Sequence, residues 1–281
     1  MSLPPLAAPP DPPELPEAAR PRWPPWYAPL ALLAAFGALI GLGGPLVPII
    51  LIGTFTETLA AVTLLILLLF QDSVLVGAAL GFAALKRRPR RWHFGVRATR
   101  FWPTVGWAVL GVAVTVGFEF AYVELLSVDE TNVDDLGEGS AAAGLFVALA
   151  VIVVAPVAEE LFFRGFFYRA LRSWMRVWSA ALTDGIVFGV LHFQGTDTAI
   201  ILPIIAVFGV VQCLIYERTG SLFAVIAVHA GFNTVAMLGV TPWWALAIGL
   251  ATIAACVLIP RKLGPGPSPF GRDPRARPQP A

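Results

Sequence analysis

Eight long apolar runs dominate this chain, and in lipid a run of that length can satisfy its own backbone hydrogen bonds only by coiling into a helix. They fall at 28–52, 58–85, 102–126, 140–170, 177–193, 198–216, 221–238 and 242–259, each 17 to 31 residues long. Of the 281 residues, 57% are hydrophobic and 13% charged, whereas a soluble domain carries about a quarter charged residues. A water-soluble fold could not cover so much apolar surface. The predicted fold class is therefore all-α, a polytopic membrane protein with about eight transmembrane helices. The fourth run exceeds the roughly 20 residues that the hydrocarbon core requires, so it tilts or continues past the bilayer.

The flanks differ sharply from the runs. Residues 1–27 hold ten prolines together with Asp11, Glu14, Glu17, Arg20 and Arg22, the composition of a disordered tail. Positive charge and a short apolar region do not stand at the very start, so this is not read as a cleavable signal peptide. Residues 261–281 are again rich in Pro, Gly and Arg and read as a second tail. Between them, 28–260 forms the expected membrane domain.

Charge placement sets the orientation. Lys86, Arg87, Arg88, Arg90, Arg91, Arg97 and Arg100 form one basic cluster; Arg169, Arg172, Arg176, Arg218, Arg261 and Lys262 follow in later loops. With eight alternating crossings all of them lie on one side. The opposing loop 127–139 carries Asp129, Glu130, Asp134, Asp135 and Glu138 and no Lys or Arg. The positive-inside rule then puts both termini in the cytoplasm of a bacterial-type plasma membrane. The lipid bilayer is the expected environment, and no nucleic-acid partner is expected.

Gly37/Gly41, Gly77/Gly81 and Gly185/Gly189 have the four-residue spacing that lets helices approach closely in lipid, read here as intramolecular packing. Cys213 and Cys256 have no neighbouring ligand at metal spacing and read as apolar packing residues. Trp23, Trp26, Tyr27, Trp243 and Trp244 read as interface anchors.

Ionisable residues at membrane depth are expensive and by default face a pathway or a reaction site. The fourth run carries Glu159, Glu160 and Arg164, the fifth Asp184 and His192, the seventh His229 and Asn233. On a helix Glu160 and Arg164 are four apart and share a face, so an ion pair is expected. Glu159 points about 100° away and is left without that partner, available as a base toward water. His229 and Asn233 are also four apart and present two polar groups on one face, the arrangement an oxyanion needs. Any one of these has a plainer reading: a Glu–Arg pair can simply join helices, and a lone histidine can be a core residue or part of a proton relay. Two carboxylates, one Arg, two His and one Asn over three helices point together to a site.

The order Glu159-Glu160-Leu161-Phe162-Phe163-Arg164, then Phe188-Gly189-Val190-Leu191-His192, then His229-Ala230-Gly231-Phe232-Asn233 resembles the CPBP intramembrane proteases, the family of the Rce-type CAAX prenyl endopeptidases and the bacterial Abi proteins. The resemblance covers roughly 140–240. It implies an intramembrane endopeptidase, a hydrolase in which Glu159 and His192 activate the attacking water and His229 and Asn233 stabilise the oxyanion. Glu160 and Arg164 would support them. No cofactor is expected, although Glu159, His192 and His229 are residue types that could also ligate a divalent metal such as zinc. The absence of an HExxH motif argues against a zincin type of site.

A check of depth leaves one discrepancy. At about 1.5 Å per residue, Glu159 lies about 15 Å from Arg169, His229 about 12 Å from Ser221, and His192 about 22 Å from Val177. Convergence then requires a tilt, or a fifth helix that starts below the cytoplasmic surface. Gln71, Asp72, Glu119, Glu124 and Asp184 stand outside the motifs, and Asp184, two turns before His192, is a candidate partner behind it. Two rival functions use the same residues. One is a proton-coupled transporter, disfavoured by the lack of an inverted repeat; the other is a catalytically inactive membrane scaffold or immunity protein. The expected substrate is a membrane-anchored peptide or protein, prenylated or not.

Overall fold

The computed structural model describes residues 23–43, 57–86, 88–126, 141–193, 195–238 and 242–262. Within these, α1 is Tyr27–Gly43, α2 Glu57–Lys86, α3 Phe101–Leu126, α4 141–172, α5 Val177–Leu191, α6 Leu202–Thr219, α7 Leu222–Met237 and α8 Pro242–Lys262. Short 3₁₀ turns at Arg91–Phe94 and Thr196–Ile201 lead into α3 and α6, and the described residues contain no strand. All eight expected helices are present, in a multi-pass membrane architecture. The second half of the first run, 44–52, and the tails before residue 23 and after 262 lie outside the described residues, as does the acidic loop.

Five helices are long and apolar enough to cross a bilayer, within Leu65–Lys86, Phe101–Leu126, Gly144–Arg172, Thr198–Thr219 and Trp243–Lys262. The helices at Tyr27–Gly43, Val177–Leu191 and Leu222–Met237 are shorter. At about 1.5 Å per residue, the 15 residues of α5 and the 16 of α7 extend only about 22 and 24 Å, less than a hydrocarbon core of about 30 Å. The two intramembrane histidines therefore sit on helices that need not run from surface to surface.

α4 is the centre of the bundle. Of its most apolar stretch 44% is buried, against 11% for α3. Phe162, Phe163, Phe166 and Phe167 supply the core, packed with Leu75, Ala79 and Ala83 of α2 and with Phe188, Phe208 and Val225. Trp23, expected at the membrane interface, is instead 2% exposed and lies against Phe94 and Phe166, 5.2 and 4.9 Å between ring centroids. Its indole caps the aromatic core just ahead of α1.

The helix is not uniform. It widens to π geometry at Ala150–Val154 and again at Leu161–Tyr168, on either side of Ala155–Glu160. Pro156 explains the first widening. In the i→i−5 register Ala155 N–H reaches Ala150 O, and the next donor would be Pro156, which has none. The carbonyl of Val151 is thus left for another partner. Such π segments recur at functional sites because they turn side chains out of register.

α5 and α6 are the closest pair. A Cβ on Gly185 would stand 2.7 Å from Ala206 O, and one on Gly209 would stand 2.8 Å from Gly185 Cα, so glycine is what lets the backbones meet. The other two spaced glycine pairs behave differently: added methyls at Gly37, Gly41, Gly77 and Gly81 would meet nothing within 4 Å. Their expected packing role inside the bundle therefore fails. Below the helices, the turn after Arg91–Phe94 is tied in by Leu222 N–H to Gly95 O at 2.8 Å and by Tyr216 OH to Phe94 O at 2.9 Å. Gly95 has φ +82° against the Tyr216 ring, a place closed to any side chain.

Candidate active site

Glu160 is the hub. Its Oε1 accepts from Arg164 Nη1 at 3.1 Å, from Gln212 Nε2 at 3.3 Å and from His229 Nδ1 at 2.8 Å, and its side chain is fully buried. The i,i+4 pair expected on α4 is formed, and it is extended by α6 and α7. Because a carboxylate can only accept, the bond places the proton of His229 on Nδ1 and directs Nε2 elsewhere.

That other nitrogen points to Glu159, whose Oε2 stands 3.9 Å away. Glu159 keeps 12% of its side chain exposed, while Glu160 keeps none. Among the described residues Glu159 Oε2 has no hydrogen-bond partner. The two adjacent glutamates thus differ as the helical wheel requires: Glu160 is locked into a network, while Glu159 has only the 3.9 Å contact with His229. The α4 backbone between its two π segments presents one to Arg164 and the other beside the second nitrogen of His229.

Arg164 is held from three further directions. Nη2 donates to Gly209 O at 3.0 Å, Nε lies 3.7 Å from Asp184 Oδ1, and the guanidinium stacks 4.5 Å over the Phe188 ring. A fully buried cation in a membrane bundle needs such compensation. Asp184 therefore belongs behind Arg164, not behind His192. Cys213, read as a packing residue, donates Sγ–H to Asp184 Oδ1 at 3.2 Å and so adds a weak polar bond.

Asn233 donates Nδ2–H to Val151 O at 2.7 Å. This is the carbonyl that Pro156 leaves without its helical donor, so Asn233 fastens α7 to the widened turn of α4. Its second amide hydrogen remains. His192 bonds through Nδ1 to Phe188 O at 2.7 Å, which leaves Nε2 as the acceptor. Phe188 lies against both imidazoles, 4.6 Å from the ring of His192 and 6.0 Å from that of His229. The end of α5 therefore reaches the level of His229, but among the described residues no hydrogen bond or ion pair joins His192 to Glu159. Of the six motif residues, Glu159, Glu160, Arg164 and His229 meet directly, Asn233 joins them through the backbone of α4, and His192 stands one aromatic ring away.

Gln212, Gly209 and Phe208 complete the site and had no motif to reveal them. Gln212 also donates to Val225 O at 2.8 Å, so it links Glu160 to α7. A glutamine inside the apolar run 198–216 was the available signal, the same one that picked out Asp184. Phe208 packs 5.1 Å from the His229 ring and stacks on Phe232. Among the described residues, no three His, Cys, Asp or Glu side chains converge at a spacing that would hold a metal ion. Of the candidate ligands Glu159, His192 and His229, His229 is held through Nδ1 by Glu160 and keeps Nε2 beside Glu159, while His192 stands one aromatic ring away.

Residues 141–235 match the family model described as type II CAAX prenyl endopeptidase Rce1-like. The match covers about a third of the chain and includes all three motifs. No curated protein and no solved structure matches the chain. The motif-bearing segment is similar to CAAX-type proteases as a family, in agreement with the family named from the three motifs.

Proposed function

We propose that this protein is an intramembrane endopeptidase that hydrolyses a peptide bond of a membrane-associated peptide or protein. The observation that carries the reading is the unequal pair on α4. Glu160 holds His229 through Nδ1, while the partly exposed Glu159, its Oε2 without a hydrogen bond among the described residues, stands 3.9 Å from the other nitrogen of that imidazole.

Glu159 takes a proton from water as the water oxygen attacks the carbonyl carbon. His192, with Nδ1 tied to Phe188 O and Nε2 as the acceptor, takes the proton on and delivers it to the leaving amine nitrogen. The oxyanion is held by His229, itself anchored through Nδ1 to Glu160, and by the second amide hydrogen of Asn233. Burial among Phe188, Phe208 and Phe232 keeps bulk water away and strengthens these charges. No step of this scheme runs through a metal. Both termini face the cytoplasm in this reading, so basic loops flank the entrance used by a membrane-anchored substrate.

The test uses the full-length chain, purified in detergent, with quenched-fluorescent membrane peptides, among them a farnesylated CAAX-type peptide. Cleavage is expected, and Glu159→Ala, His192→Ala and His229→Ala each abolish it with the thermal melt retained. Full activity of Glu159→Ala overturns the reading. Activity that resists chelators agrees with the metal-free scheme.

A further inference from the structure

One buried ionisable group has no place in that scheme. Asp72 on α2 is 3% exposed, and among the described residues neither of its carboxylate oxygens has a hydrogen-bond partner. It ends the buried stripe Asp72, Leu75, Ala79 and Ala83, whose three apolar members pack into the same core as Phe162 and Phe166 of α4. An unpartnered carboxylate at such a depth costs several kcal/mol. A leucine there would continue the stripe at no such cost. Packing therefore gives no reason for an aspartate.

Its position supplies one. By the charge pattern α2 and α4 both run toward the basic side, and α2 packs on Ala155–Glu160. Asp72 lies 14 residues before Lys86 and Glu159 13 residues before Arg172, so the two carboxylates occupy similar places along helices that pack together. The nearby charged groups on α4 are Glu160 and Arg164, already bonded to each other, and α1 brings no titratable group except Tyr27. Three carboxylate oxygens, both of Asp72 and Oε2 of Glu159, thus lack hydrogen-bond partners among the described residues, on two helices that pack together. A buried water is held by two to four polar partners.

We propose that Asp72 is a further catalytic residue: its carboxylate accepts a hydrogen bond from the attacking water while Glu159 takes that water's other proton. The step balances with Asp72 unchanged: a C–O bond forms, the C–N bond breaks, the proton taken by Glu159 ends on the leaving amine, and the remaining hydroxyl stays on the new acid. Asp72 fixes the direction in which the water oxygen presents its lone pair. The proposal rests on the protease reading, and the experiment separates the two.

With the farnesylated CAAX-type peptide and the full-length chain in detergent, Asp72→Leu is expected to lower kcat on the order of 10²-fold with KM unchanged. Its melting temperature should stay equal or rise, because an unpartnered buried carboxylate is removed. Asp72→Asn keeps an acceptor oxygen and should recover part of kcat. Undiminished kcat in Asp72→Leu overturns the inference and leaves Glu159 untouched, whereas undiminished activity in Glu159→Gln overturns the protease reading as well. A fall in melting temperature that parallels the loss in Asp72→Leu assigns Asp72 a structural role and also overturns it. Independently of activity, a high-resolution crystal structure should show an ordered water within about 3.2 Å of both Asp72 and Glu159; dry density between them refutes the proposal.

Discussion

Two buried polar clusters lie along the same face of α4, about two helical turns apart, and they are built to different rules. At the basic end Glu217 accepts from Arg172 at 2.6 and 3.0 Å and from the Tyr168 hydroxyl at 2.8 Å, so both carboxylate oxygens are used. Arg172 also donates to Met175 O, which closes the turn into α5. Around Glu160 the polar groups are just as buried, yet among the described residues Glu159 Oε2, Glu160 Oε2 and Asp184 Oδ2 lack hydrogen-bond partners. Completed pairing is what a joint between helices needs. Oxygens left over in a low-dielectric interior are what a reaction site keeps, at a cost in stability that the surrounding packing offsets.

The contrast breaks most easily at Glu159. Glu159→Ala should lose activity by about 10⁴-fold while the thermal melt in detergent is unchanged, since the oxygen removed had no bond to lose. Glu217→Ala should do the opposite. It leaves Arg172 buried without its bidentate partner, an expected loss of about 3–5 kcal/mol, and peptide cleavage by the fraction still folded should be normal. A Glu217 variant that melts like the parent would mean that the lower cluster is not a joint.

Smaller effects sharpen the boundary between the two. Gly185→Val drives a side chain into Ala206 and Val210 on α6 and should cost about 1–3 kcal/mol, measurable as a lower melting temperature. Asn233→Ala frees the Val151 carbonyl and should cost about 1–3 kcal/mol and also depress kcat, the one change expected to register in both assays. Gly37→Ala meets open space and should shift stability by no more than about 1 kcal/mol, in the stabilising direction. A large loss there would show that α1 packs against something beyond the described bundle.

Much of this arrangement was legible in the chain. Apolar runs bounded by Lys and Arg define eight helices because both hydropathy and the positive-inside bias are local properties. The Glu160–Arg164 pair was legible for the same reason: residues four apart on one helix meet whatever surrounds them. That Glu159 stands outside that pair followed from the same 100° step. What could not be read was any bond between helices. That Cys213 bonds Asp184, that Asp184 serves Arg164 and not His192, and that Trp23 lies in the core all depend on how separate helices rotate and slide against one another.

The sequence by itself determined a polytopic helical protein and the residue types of its site, because backbone hydrogen bonding in lipid permits few alternatives and the helix repeat fixes which neighbours share a face. Only the tertiary structure decided how the site is wired. Pro156 removes a donor from α4, the helix widens, and Asn233 on a distant helix caps the carbonyl that results. Glycines 185 and 209 set how near α5 can come to α6, and so which rings flank His229. Those are facts of packing, in which one methyl group at a contact changes which partners can meet.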